Sequence, residues 1–153
     1  MCESQIVVCE LGDEKFGLDI ASVFEIIRLR PRTAVPQSHP YVDGVINLRG
    51  RIVPIVDLAR RFGMTPSEPT RASRIVVAGS GDMRIGLVVD GVSEVQIIPD
   101  DSVEPTPAAV ADLHSAAFLK GIARIGDRLV VLLELEPLLR ENGRTGPAPT
   151  RSA

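Results

Sequence analysis

The chain has 153 residues, 44 % of them apolar, with a formal net charge of −3, four Phe and one Tyr. That supports a sizeable core, while the lack of a dense Lys/Arg run and of stacking aromatics excludes a nucleic-acid surface. No stretch approaches the roughly 18 uninterrupted apolar residues of a membrane span, and no basic flank with an apolar run marks a leader, so a cytoplasmic protein without direct membrane insertion is expected.

Gln5 to Leu11 is rich in Val and Ile, closes on Gly12-Asp13, and is followed by a second apolar run from Lys15 to Ile20. This is a hairpin pattern. Cys2 and Cys9 lie about 23 Å apart along an extended strand, beyond disulfide reach, and two free thiols suit a reducing compartment. Val23 to Leu29 fits either strand or helix, with Ala21-Ser22 suited to a helical turn at its start. Pro31, Pro36 and Pro40 then mark an irregular connection that begins among Arg28, Arg30 and Arg32, a group readable as a binding patch or as a solvated loop face.

Gly44 to Leu58 is the most informative stretch. Val45, Ile46 and Leu48 form one strand, Ile52, Val53, Ile55 and Val56 a second, and Arg49-Gly50 a tight turn in which Gly50 supplies positive φ. Pro54 has no N–H for a ladder, so an edge position or a bulge is expected there. From Asp57 the period becomes helical, with Asp57 as N-cap and Gly63 as the stop.

After a Pro-containing linker from Thr65 to Thr70 the pattern restarts. Ile75-Val76-Val77 repeats Ile6-Val7-Val8, Gly81-Asp82 repeats Gly12-Asp13, Gly86-Leu87 repeats Gly17-Leu18, and Val92 and Glu94 repeat Val23 and Glu25, at a constant offset of 69. Gly121 to Leu135 repeats Gly44 to Leu58 at an offset of 77. Each half holds about five short strands and lacks the long helices that parallel crossovers require. An all-β fold of two five-stranded antiparallel barrel lobes with short helices follows. Residues 1–143 are expected to form one domain, with lobes at about 5–64 and 72–136 whose terminal segments are able to exchange. A short helix is expected at Pro137 to Arg140, and 144–153 reads as a disordered tail.

Catalytic groups are sparse. His39 and His114 fall in no spacing that metal binding or base catalysis needs, and the glycines punctuate turns without forming a phosphate-cradling loop, so no metal, cofactor or enzymatic activity is expected. The rival reading is a small cytosolic hydrolase using Asp57, Asp90 or a histidine. Arg49 stands between two apolar strands and Glu25 interrupts an apolar run, which points to a Glu25–Arg49 ion pair buried between the lobes, or to Arg49 as an exposed contact.

Val42 to Leu58, continued by Arg60-Arg61-Phe62-Gly63, resembles the core pattern of the CheW-like domain family. The resemblance extends upstream through Phe16 to Ile20 and Val23 to Ile27, and downstream through Ile85 to Asp90. It implies two SH3-like barrels and an adaptor that couples methyl-accepting chemoreceptors to a CheA-type histidine kinase. The implied partners are the kinase's regulatory domain and the cytoplasmic tip of the receptors, with recruitment to membrane receptor arrays. The partner-binding region it implies comprises Val23, Glu25, Ile27, Val45, Asn47, Leu48, Arg49 and Gly50. Gly126-Asp127 stands where the first half has Arg49-Gly50, so the lobes are expected to differ in binding.

Overall fold

The computed structural model describes residues 3–36, 40–66, 68–105 and 119–142. Cys2, His39, His114 and the tail 144–153 lie outside the described residues. The elements are β1 (Glu3–Leu11), β2 (Glu14–Asp19), β3 (Val23–Arg28), β4 (Val42–Leu48), β5 (Arg51–Asp57), α1 (Leu58–Arg61), β6 (Arg74–Ser80), β7 (Met83–Val89), β8 (Gly91–Pro99), β9 (Val103–Glu104), β10 (Leu119–Ile125), β11 (Arg128–Leu133) and α2 (Leu135–Asn142).

Local chemistry accounts for the turns. Gly12, Gly81 and Gly126 each open a two-residue hairpin turn at φ 60°, with an aspartate second. Glycine in the first position suits the type II′ turn, whose twist matches the flanking strands. The Arg49-Gly50 turn differs: both residues have positive φ, 54° and 83°, a type I′ arrangement. The segment before β3 is a 3-10 turn over Ile20–Ser22, held by Asp19, whose carboxylate accepts from the Ala21 N–H at 2.9 Å. The ambiguity at Val23 resolves into a short turn followed by a strand. Asp57 caps α1 by accepting from the Arg60 N–H, and Gly63 follows at φ 75°.

The strands form two sheets, ordered β8-β1-β2-β11-β10-β9 and β3-β6-β7-β5-β4. In both, the first and last strands are consecutive in the chain, β8 and β9 being joined by three residues only, so each sheet curls back on itself. The sheets cut across the sequence halves 5–64 and 72–136. The β1–β2 hairpin of the first repeat lies among strands of the second, and the β6–β7 hairpin of the second lies among strands of the first. Each exchanged hairpin meets its host on both sides, antiparallel at β1–β8 and β3–β6 but parallel at β2–β11 and β5–β7, and the parallel pairs depart from the purely antiparallel expectation. β5 is interior because of this. Pro54 is accommodated because pairing with β7 begins at Ile55, one residue beyond the proline.

Side-chain alternation on β1 and β6 divides the core. Val7, Cys9 and Leu11 of β1 and Val76 and Ala78 of β6 enter a central cluster with Leu58 of α1 and Leu135, Leu138 and Leu139 of α2. The opposite faces fill the two lobes: Ile6 and Val8 join Ile98, Val130 and Leu132, while Ile75 and Val77 join Ile46, Val53 and Ile55. Gly17 and Gly86, equivalent in the repeat, lie at the parallel junctions. A Cβ on Gly86 would stand 2.5 Å from Ile55 Cδ1 and 2.8 Å from Ile75 Cγ2, and one on Gly17 2.9 Å from Ile6 Cδ1 and Leu132 Cδ2.

Two outcomes follow from this architecture. Gly86→Val overpacks a filled lobe core and is expected to destabilise by about 1–3 kcal/mol, read as a lower thermal midpoint. Expressed separately, residues 1–66 and 68–153 each leave both sheets incomplete and should show the collapsed amide NMR spectra of unfolded chains, while mixing them restores native dispersion; a folded isolated half would contradict the exchanged topology.

Candidate functional site

Glu25 lies on β3 and Arg49 in the β4–β5 turn, strands at opposite ends of one sheet order, so their pairing spans the mouth of a single curled sheet. The contact is bidentate. Arg49 Nε donates to Glu25 Oε2 and Nη2 to Oε1, both at 3.0 Å. The Arg49 side chain is 76 % exposed and that of Glu25 26 % exposed, which corrects the expectation of a pair buried between lobes and agrees with the alternative of an exposed Arg49. The reason is geometric: a turn residue projects from the end of its hairpin, where no second lobe covers it. The Arg49 hydrogen bond, more than the charges of Arg49 and Arg30, holds the Glu25 carboxyl below its ordinary range against modest burial, and raises the Arg49 guanidinium in turn.

Arg49 is the only non-glycine with positive φ among the described residues. Such a backbone is unfavourable for arginine, and the pair with Glu25 and the Asn47 side chain help to hold it. Asn47 Oδ1 accepts the Gly50 N–H at 3.1 Å across the same turn.

Beside the pair lies a hollow of about 500 Å³ lined by Phe24, Leu48, Val53 and Val77 with Arg51 and Arg84. The Arg84 guanidinium carbon sits 3.6 Å from the Phe24 ring centroid, a cation–π contact that fixes the ring at the rim. Phe24 and Ile26 are 48 % and 41 % exposed.

The eight residues expected at the partner surface divide by strand alternation. Asn47, Arg49 and Gly50 are exposed at the turn, and Glu25 and Leu48 line the hollow. Val23 packs against the central core and Ile27 against the lobe core, while Val45 is half-buried, paired to Pro54 and bridged to Thr33, so these three support the surface from behind. Phe24, Ile26 and Arg84 were missed. If Glu25 faces the sheet mouth, period-2 alternation turns Phe24 and Ile26 outward, and that signal was in the sequence.

The second lobe carries an equivalent contact. Glu94, the repeat of Glu25, accepts from Arg128 Nη2 at 3.2 Å. Glycine occupies position 126, so the arginine comes from two residues further along the hairpin and the backbone avoids the left-handed strain at Arg49. The groups proposed for a hydrolase have other employment: Asp57 is a helix cap and Asp90 Oδ2 accepts the Gly12 N–H at 2.6 Å. Burial pushes the Cys9 thiol up to about 12, leaving it unionised and unreactive.

The ion pair has a pH signature of definite sign. Because the Glu25 pKa is depressed, the contribution of the pair is complete above the ordinary glutamate range and fades as pH falls through the depressed value. In Arg49→Ala the Glu25 carboxyl should titrate in the ordinary range by ¹³C NMR, while the thermal midpoint stays near that of the parent because the arginine is exposed. An unchanged Glu25 titration would show that another group depresses it.

The model of the CheW-like domain family matches residues 5–143. A probable chemotaxis protein CheW from Rhizobium etli is 42 % identical over 139 residues, covering 91 % of this chain and 89 % of the relative. The chemotaxis protein CheW of Klebsiella aerogenes is 33 % identical over 88 % of this chain and 81 % of its own. The crystal structure of the scaffolding protein TtCheW from Thermoanaerobacter tengcongensis superposes with a TM-score of 0.81 at 36 % identity, covering 88 % of this chain and 90 % of that one. A family match across nearly all of the sequence, with the same fold in a solved relative, leaves one conclusion: the chain belongs to the CheW-like domain family.

Proposed function

We propose that this protein is a non-enzymatic chemotaxis adaptor that couples chemoreceptors to a CheA-type histidine kinase. The observation that carries the reading is the family match over residues 5–143, together with relatives named as chemotaxis proteins and a solved relative named as a scaffolding protein. The hydrolase alternative finds no support in these relatives. An adaptor needs several faces of different chemistry, and the two curled sheets with their outward edge strands supply them.

In the finer reading, the cytoplasmic tip of the receptor docks on the rim formed by Phe24, Ile26, Asn47, Leu48, Arg49 and Gly50, and the regulatory domain of the kinase binds the protein elsewhere, within arrays at the membrane. Phe24 and Ile26 provide exposed apolar anchors. The bidentate pair holds the adjoining turn in one shape before binding, which lowers the ordering cost of association.

The test is co-sedimentation of the purified chain with a receptor cytoplasmic fragment and with the kinase. Binding to both is expected, and Phe24→Ser and Arg49→Ala should each weaken receptor binding by roughly tenfold, as central contacts do, without a comparable effect on the kinase. Failure to bind either partner, or stable phosphate incorporation at Asp57 on mixing with active kinase, overturns the reading.

A further inference from the structure

We infer that Arg28, Arg71 and Arg74 form a docking site for an acidic, carboxylate-bearing segment of a partner protein. The site lies at the end of the β3–β6 pair remote from Glu25 and Arg49, and the inference stands apart from the adaptor reading. Of the arginines at the start of the proline-rich connection, Arg32 is neutralised by Asp43, with Nε to Oδ2 at 2.8 Å. Arg28 instead lines a hollow of about 370 Å³ with Leu29, Thr70, Arg71, Ser73 and Arg74.

Three features of this hollow call for an anion. Arg28 and Arg74 are direct cross-strand partners, a like-charge placement that sheets disfavour. Among the described residues, none of the three arginines has an acidic partner; Arg74 Nη1 donates only to the carbonyls of Arg71 and Ser73, at 2.6 and 2.8 Å. Ser73 is 4 % exposed, and its Oγ accepts the Thr70 N–H at 2.9 Å, while its own proton has no acceptor among the described residues.

The internal repeat indicates which anion belongs there. At the offset of 69, Ser73 corresponds to Ser4, Arg74 to Gln5, Arg28 to Ile97 and Leu29 to Ile98. Gln5 and Ile97 are cross-strand partners as Arg74 and Arg28 are, so the fold does not require charge at either position. In that lobe Ser4 Oγ donates to Asp100 Oδ1 at 2.8 Å, beside a hollow of about 310 Å³ lined by Ser4, Ile98 and Asp100. One lobe thus brings its own carboxylate to the serine; in the other, the hollow between Arg28, Arg71 and Arg74 has no carboxylate in its lining, and Asp43, Asp57 and Asp90 line a separate hollow that Ser73 also borders.

A backbone cradle for phosphate is not available, because the N–H groups of Thr70, Ala72 and Ser73 are all engaged within the turn. The charged groups lining the hollow are guanidinium forks, which bind carboxylates bidentately, and the carboxylate on the equivalent serine of the other lobe favours that anion over phosphate.

The experiment is fluorescence anisotropy of fluorescein-labelled hexaglutamate with the full chain at low salt, with amide NMR shifts to map the contact. Binding is expected to shift residues 28 and 70–74. The double variant Arg28→Ile with Arg74→Gln installs the pair the other lobe already folds with, and Arg71→Glu changes an exposed turn. Each should weaken binding by at least about tenfold with an unchanged thermal midpoint, whereas Arg124→Gln, in the other lobe, should have no effect. No binding by the parent, undiminished binding by either folded variant, an equal loss with Arg124→Gln, or shifts at these residues with pyrophosphate but not with hexaglutamate overturns the inference.

Discussion

The two-sided burial of β1 and β6 is the constraint on which the rest of the structure depends. Each strand has one face in a lobe and the other in the central layer, so Val7 and Val76 pack between lobes while Ile6 and Ile75 pack within them. Burying an aliphatic side chain of this size stabilises by about 1.5–3 kcal/mol, and a small curled sheet has too few interior positions to reach ordinary domain stability alone. Sharing these strands with a common layer raises the buried apolar surface of both lobes. The exchange of hairpins between repeats follows, because β1 and β6 can serve the central layer only when each is inserted beside strands of the other half.

That arrangement frees the sheet ends for function. With the core concentrated in the middle, the outer edge strands β3 and β8 keep exposed apolar residues: Phe24 and Ile26 on one, Val95 and Ile97 on the other. On the proposed function these residues are the apolar anchors that a partner would cover. At each mouth a glutamate of the edge strand meets an arginine of the opposite hairpin, yet the two lobes reach this pairing differently. Arg49 does so from a left-handed backbone, and Arg128 from regular strand. The strained version adjoins the aromatic rim, consistent with strain being retained where a turn must present a defined shape.

Much of the fold was legible in the sequence because its signals were local. Gly12-Asp13 and Gly81-Asp82 announced their turns, Asp57 and Gly63 bounded α1, and the offset of 69 exposed the repeat. The continuous apolar runs of β1 and β6 even carried the mark of burial on both faces. The candidate site was half legible: Glu25 and Arg49 were identified as partners from an interrupted apolar run and an unusual turn residue, but the choice between a pair buried between the lobes and an exposed Arg49 was left open. Phe24 was overlooked although alternation with Glu25 turned it outward, and Arg84 could not be found, since nothing in the order of residues brings a β7 side chain across β6 to a ring on β3.

The sequence by itself determined most of the strands, the positions of the hairpin turns, the repeat and the family, because each rests on residues within a few positions of one another or on a pattern copied along the chain. Only the tertiary structure decided which strands share a sheet, that β2 with β11 and β5 with β7 run parallel, that Glu25 and Arg49 close one sheet mouth at the surface, and that Arg28 meets Arg71 and Arg74 around one hollow. The physical reason is that local propensity is indifferent to partner choice. A hairpin from either repeat satisfies the same turn chemistry, and the choice between keeping and exchanging it is made by the apolar layer that both halves must bury together.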